Sequence, residues 1–368
     1  MAEARARGDE FCDLTLSNPT SAGIDYPQDL WPLLERAQRG ARVYRPEALG
    51  LLSAREAVAS YLALSRGRPA AAEDILLSAS TSEAYAFLFK LLCDPGDAVL
   101  IPAPSYPLFE HLAELEAVRA VPYRLDYDGA WHIDFGSLRR ALTPDVRAIV
   151  VVSPNNPTGH YCGAEEWAAL AELGLPLICD EVFFEYPLEA PPPEQQRPSP
   201  VLSFALGGLS KLMGLPQLKL AWTELHGPPA LVQEARERLE LVADTFLSVG
   251  SPIQLALPGL LELSPLIIEP ILARCRHNLA ALRRGLAGSA VNALRLEGGW
   301  NAVLHFPSLQ SEDDWVSALL TRQRVLLQPG WFYDFEREPY AVVSLLTPPS
   351  VFEAGVSRIA TYVAELSR

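Results

Sequence analysis

The 368-residue chain is 49% hydrophobic and 20% charged, a balance that fills a large core and a length that suits about two domains. Its formal net charge of −15 argues against nucleic acid or an anionic membrane as partner, though not against a small anion that meets only local fields. Five cysteines (Cys12, Cys93, Cys162, Cys179, Cys275), odd in number and without a CxxC pair, read as reduced thiols of a cytoplasmic protein.

Taken in chain order, MAEARARGDE lacks the apolar stretch of a signal peptide, and residues 1–30 are rich in turn formers. Helical periodicity begins at Ser53, a plausible N-cap, and runs to Ser65. Apolar strands and helices then alternate. The strands are expected at Asp74–Ala79, Ala98–Ile101, Val118–Tyr123, Val146–Ser153, Pro176–Asp180, Val201–Leu206 and Leu218–Leu225. The helices between them are expected at Ser82–Cys93, Tyr106–Leu115, Phe135–Leu142 and Ala164–Leu173. This alternation predicts an α/β fold with a large, doubly wound, mostly parallel sheet covered on both faces. The proline-rich segment 190–200 reads as a surface loop. Long helices follow at Pro229–Leu247 and Ser264–Leu286, and no run approaches the ~18 apolar residues of a membrane span. The remainder has a different texture. Strands at Leu294–Glu297, Ala302–Phe306, Val325–Gln328 and Ala341–Leu346, with helices at 311–322 and 350–366, predict a smaller α+β domain. We therefore expect a large domain over 40–260 and a small one built from 1–39 and 261–368.

Chemistry-bearing residues cluster where these strands end. Lys211 sits in a Gly-flanked loop between two apolar runs, and burial there would favour its neutral, nucleophilic amine. A lysine snorkelling to water is the plainer alternative. Ser80, Thr81 and Ser82 follow a strand and open a helix, as an anion site requires, although Ser82 could serve as an ordinary N-cap. Tyr106, in a PSYP turn, could lie flat against an aromatic ligand. The turn Asn155-Asn156-Pro157-Thr158-Gly159 leaves an amide at a strand terminus. Asp180 closes an apolar strand, where a carboxylate is costly unless a cation or donor faces it.

The order of these motifs (hydroxyl-rich helix start, PSYP, NNPTG, apolar-DE, then SK with Lys219 eight positions on) resembles the class I/II aminotransferases, fold-type I enzymes that use pyridoxal 5'-phosphate. The resemblance extends from Tyr44 into the C-terminal third. It implies that Lys211 holds the cofactor as a Schiff base and shuttles a proton, while Asp180 keeps the pyridine nitrogen protonated. It further implies that Asn156 donates to the phenolic oxygen and that Tyr106 stacks on the ring. Ser80, Thr81, Ser82, Ser210 and Lys219 would hold the phosphate. Tyr44 would reach the phosphate of a neighbouring subunit, in a homodimer with shared active sites. The implied reaction is ping-pong transfer of an amino group from an amino acid to a 2-oxo acid. A lyase or decarboxylase of the same fold is the alternative.

Four positions depart from the family pattern. Phe183 replaces a tyrosine beside the cofactor's phenolic oxygen, Lys219 an arginine and Gly208 a serine. No arginine lies near Val342, where the family clamps the substrate carboxylate. Arg45 and Asn301 are the candidates to replace it. Trp300, Trp331, Phe332 and Tyr333 are candidates for the substrate side.

Overall fold

The computed structural model describes residues 10–192, 200–336 and 339–366, so most of the proline-rich 190–200 segment lies outside the described residues. β1 (Cys12–Asp13) is followed by the strands of an eight-stranded sheet: β2 (Ile75–Ser78), β3 (Ala98–Ala103), β4 (Arg119–Tyr127), β5 (Trp131–Ile133), β6 (Val146–Val152), β7 (Leu177–Asp180), β8 (Ser203–Gly208) and β9 (Ala221–His226). Their spatial order is β2-β9-β8-β7-β6-β3-β4-β5. β9 and β5 run against the other strands, so the sheet is mixed but mostly parallel. The central strands are buried on both faces. All four residues of β7 are buried, and in β6 only Arg147 reaches solvent. That two-sided burial is why they read as continuous rather than alternating apolar runs.

A second, four-stranded antiparallel sheet has the order β10-β11-β14-β13, from β10 (Asn292–Ala293), β11 (Asn301–His305), β13 (Gln328–Pro329) and β14 (Tyr340–Ser344). Between them in sequence, β12 (Val325–Leu326) pairs in parallel with β1 and ties the N-terminal segment to the C-terminal third.

Several expectations need correction. The helix expected from Ser53 spans Leu52–Arg66, with Leu51 at the cap position and no side-chain cap. Its first donors are met from outside the helix. Leu51 N–H bonds Gln254 at 2.6 Å and Leu52 N–H bonds Glu47 at 3.0 Å, so Ser53 is not needed as a cap. The strand read as Val118–Tyr123 continues to Tyr127 and turns at Asp128-Gly129 into β5, a hairpin that the Asp-Gly pair signals. A helix over Leu30–Gly40 packs on the long helix.

The long helix starts at Ser251, not Ser264, and runs to Gly285 through Pro258, Pro265 and Pro270. Proline at 265 withholds the N–H that would bond the Leu261 carbonyl. The Ser264 hydroxyl takes that carbonyl instead, at 2.7 Å. Burial of Leu257, Leu260, Ile267, Ile271, Cys275 and Leu282 against neighbouring helices carries the helix past its prolines. By length and hydropathy alone this helix is apolar enough to cross a membrane, contrary to the sequence reading; in this fold it is the spine of the largest core cluster. All five cysteines are free.

Candidate active site

Strand direction and register gather the motifs on one edge of the large sheet. β8, β7, β6 and β3 run in parallel, so the segments leaving their carboxyl ends are neighbours: Ser210-Lys211, Asp180, Asn156 and Tyr106. In an open α/β sheet this edge is where ligands bind. Register sharpens the grouping, because Val152, Asp180 and Leu206 lie side by side. The antiparallel β9 adds a second group. Ser78 and Gly208 both face Ala221, which brings Ser80, Ser210 and Lys219 to the same end of three adjacent strands.

Ser80, rather than Ser82, is the N-cap of helix Thr81–Leu92, and its Oγ accepts the Glu83 N–H at 3.1 Å. Thr81 and Ser82 stand in the first turn, where backbone N–H groups have no acceptor within the helix. Lys219 is exposed and has left-handed backbone (φ 54°), just ahead of β9. At Gly208 a side chain would be crowded. A Cβ there would meet the Ala221 Cβ at 3.0 Å and the Leu220 carbonyl at 3.1 Å, which gives a local reason for glycine in place of serine.

Lys211 Nζ lies over the ring of Phe183 at 5.4 Å and that of Trp300 at 5.5 Å. Loss of water pushes its amine below the ordinary lysine value, against the opposing pull of the Asp180 charge. The ammonium is disfavoured here and the nucleophilic amine favoured. Asp180 shows the complementary shift. Burial pushes its carboxyl up to about 6, while the Val182 N–H, the Tyr85 hydroxyl and Lys211 restrain the rise. Val182 N–H donates to Oδ1 at 3.2 Å, and Tyr85 Oη donates to Oδ2 at 3.0 Å. Phe183 is buried and offers no donor.

Asn156 is held by Asn301, whose Nδ2 donates to its Oδ1 at 2.7 Å. The turn around it is fixed from several sides. Asn155 accepts from the Thr158 hydroxyl at 2.9 Å, and its own amide reaches Ser105 at 3.3 Å. Gly159 is required twice over. Its φ is +71°, and a Cβ would stand 2.2 Å from Leu296 and 2.5 Å from the Gly298 carbonyl. Next along, buried His160 sits between Glu166, at 2.9 Å from Nε2, and Glu297, at 3.8 Å from Nδ1. Burial opposes its charge, but the two carboxylates win and lift the imidazole to about 9.

Three features escaped the sequence reading. Tyr85 looked like one more apolar position of a core helix. Behind Asp180, Glu181 meets Arg66 at 2.5 Å and Arg68 at 3.4 Å, Arg66 also meets Glu185 at 2.6 Å, and Arg68 meets Glu224. Partners more than 100 positions apart leave no local signal of this buried ionic network. The indole Nε1 of Trp300, beside Lys211, is buried without a hydrogen-bond partner.

On the presumed substrate side, Val342 is fully buried on β14 between Val303 and Gln328. Of the two residues proposed to replace the missing arginine, Asn301 lies with Asn156, whereas Arg45 lines a surface recess with Tyr44, Leu247 and Ser248. That recess includes neither Lys211 nor Asp180, and Tyr44 is 72% exposed. Among the four aromatics, Trp300 and Tyr333 are buried. Trp331 is turned outward, its indole donating to Asp313 at 3.1 Å, and Phe332 is partly exposed against Tyr333.

Comparisons agree with this arrangement. The family model described as aminotransferase class I and II matches residues 15–339. The glutamate-pyruvate aminotransferase AlaA of Escherichia coli (strain K12) is 27% identical over 97% of this chain and 91% of its own length. An alanine aminotransferase of Mycobacterium tuberculosis is 29% identical over 73% of this chain and 65% of its own. Among solved structures, an alanine aminotransferase from Pyrococcus furiosus superposes with a TM-score of 0.89 at 21% identity, covering 99% of this chain and 95% of that one. A tyrosine aminotransferase from Leishmania infantum gives 0.88 at 20%, covering 97% and 92%. Identities that low show the fold alone, whereas the family match spans most of the sequence. The chain belongs to the class I and II aminotransferase family and is an aminotransferase by that membership.

Proposed function

We propose that this chain binds pyridoxal 5'-phosphate on the sheet edge carrying Lys211 and Asp180, and moves an amino group from an amino acid to a 2-oxo acid in two half-reactions. The residues fit such a cofactor. A buried amine held toward its neutral form suits an aldehyde. A buried carboxyl that ionises near 6 suits a protonated ring nitrogen. The helix start at Ser80-Thr81-Ser82, with Ser210 and Lys219 beside it, suits a phosphate. When bound, the cofactor supplies an electron-accepting ring for the charge released at the substrate's α-carbon.

The chain's own groups do the rest. Lys211 is the attachment point and, once displaced by substrate, the base that carries the proton from the α-carbon. Asp180, ionised at neutral pH and steadied by Tyr85 and Val182, keeps the ring nitrogen protonated. Asn156, fixed by Asn301, donates to the phenolic oxygen, and Tyr106 covers the ring. Phe183 contributes an apolar wall where a hydroxyl would otherwise assist. The large domain over 40–260 carries this machinery, and the small domain of 1–39 and 261–368 closes the substrate side.

A homodimer with shared sites accounts for Tyr44. With Val43, Phe246 and Leu247 it puts large exposed apolar side chains on one part of the surface, around the recess that also holds Ser248. Five free thiols suit the cytoplasm.

The observation that carries the reading is the juxtaposition of Lys211 and Asp180, each shifted by burial in the direction the chemistry needs. The test is to mix purified, cofactor-loaded protein with L-alanine or L-glutamate and no acceptor. Conversion of one cofactor per site to its amine form, with an equal yield of 2-oxo acid, supports transamination. Lys211→Ala should abolish it. Continuous release of ammonia or carbon dioxide would instead establish the lyase or decarboxylase, a class to which none of the relatives named above belongs.

A further inference from the structure

The side of the small sheet that faces the cleft carries one row of side chains set by register: Val303, Val342 and Gln328, on β11, β14 and β13. Val303 and Val342 are buried in the same cluster as Tyr333 and the large-sheet residues Val151 and Cys179, so this face looks onto the strands that bear Asn156 and Asp180. Gln328 ends the row and is only partly buried. Its Oε1 accepts the hydroxyl of Tyr333, which leaves the amide nitrogen as a donor. The pair is tied to the reaction edge. The Tyr333 carbonyl accepts the Ser105 N–H at 2.9 Å, and the Ser105 hydroxyl accepts from Asn155 at 3.3 Å. Tyr106 and Asn156 are the next residues along those two segments.

We propose that Gln328 and Tyr333 are the specificity-determining pair that receives the polar group on the substrate's α-carbon, and that this neutral pair admits amines lacking an α-carboxylate alongside α-amino acids. The inference rests on the aminotransferase reading. Its physical basis is the difference between a charged clamp and a neutral one. A bidentate guanidinium leaves buried charge unmet when the carboxylate is missing, and sites built around such polar contacts reject the lacking analogue by about 10⁴-fold or more. Two neutral hydrogen bonds separate the same substrates by about 10- to 100-fold. The apolar neighbours Val303 and Val342 leave an unmet carboxylate pocket nothing charged to expose.

The experiment compares L-phenylalanine with 2-phenylethylamine, and L-alanine with ethylamine, as donors to the holoenzyme in single half-reactions. Binding of 3-phenylpropionate, which cannot react, is measured separately by calorimetry. We expect wild type to prefer each amino acid by less than about 100-fold. Gln328→Leu and Tyr333→Phe should raise KM for L-phenylalanine and Kd for 3-phenylpropionate by about 5- to 10-fold each, with kcat and 2-phenylethylamine kinetics little changed. Gln328→Glu should turn the preference toward the amine. A wild-type preference above about 10⁴, or folded variants whose 3-phenylpropionate binding is unchanged, would overturn the proposal. If no donor converts wild type, the aminotransferase reading fails by itself, while the calorimetry still decides for or against the pair.

Discussion

Replacing Tyr85 by phenylalanine removes one hydroxyl and nothing else from the interior. That hydroxyl donates to Asp180 Oδ2 at 3.0 Å in a fully buried setting. A hydrogen bond to an ionised group contributes about 1.5–3 kcal/mol, and each 1.36 kcal/mol corresponds to one pH unit. The carboxyl, now near 6, should therefore titrate about one to two pH units higher in Tyr85→Phe. At neutral pH much of it would be protonated and unable to hold a proton on a ring nitrogen. Two measurements check this. In the apoprotein, the infrared band of the protonated carboxyl, assigned with Asp180→Asn, should persist to higher pH in the variant. In the holoenzyme, the acid limb of the half-reaction rate should move up by the same interval. A carboxyl midpoint within about 0.3 pH unit of wild type would refute the reasoning, since 0.3 unit is about 0.4 kcal/mol, far below the value of a charged hydrogen bond. It would mean that Val182 N–H and Lys211 alone set the ionisation.

Other parts of the site make further predictions. His160 is raised in the fold to about 9 from an ordinary 6.5, so its contribution to stability is complete below pH 6.5 and lost as pH rises through about 9. The interval corresponds to about 3 kcal/mol, so the gap in urea stability between wild type and His160→Gln should be largest near pH 6 and nearly closed by pH 10. A gap that does not vary with pH would dissociate stability from this imidazole. Glu166 and Glu297 are both lowered by His160, so the same clamp also weakens as acid reaches their folded values. Arg66→Met strips the closest cation from Glu181 and Glu185; breaking a buried pair in this way should cost about 3–5 kcal/mol, read as a fall in the urea midpoint, and a loss below about 1 kcal/mol would contradict the network. Gly159→Ala combines positive φ with a 2.2 Å approach to Leu296 and should cost at least about 2 kcal/mol, with weaker cofactor binding because the Asn156 turn must move.

Much of the architecture was legible locally. β6 and β7 are apolar runs bounded by Pro, Asn, Gly and acidic residues, and such segments can bury both faces only in a covered parallel sheet. The chemistry-bearing residues stood out for the same reason. A lysine or an aspartate at the end of an apolar strand is conspicuous because burying it is costly. Tertiary contacts decided what local pattern could not carry. The reversed direction of β9 places Lys219 beside Ser80 and Ser210, and direction depends on pairing across the sheet rather than on period. The helix from Ser251 runs through prolines because packing against other helices outweighs the backbone bonds they forfeit.

The sequence by itself determined which residue types stand at the strand ends, and so which chemistry is possible. Only the folded chain decided how those groups ionise. The Tyr85 hydroxyl on Asp180, the aromatic walls around Lys211 and the two carboxylates on His160 all come from distant segments. Desolvation and Coulomb energy depend on distance in space, and position along the chain does not encode it.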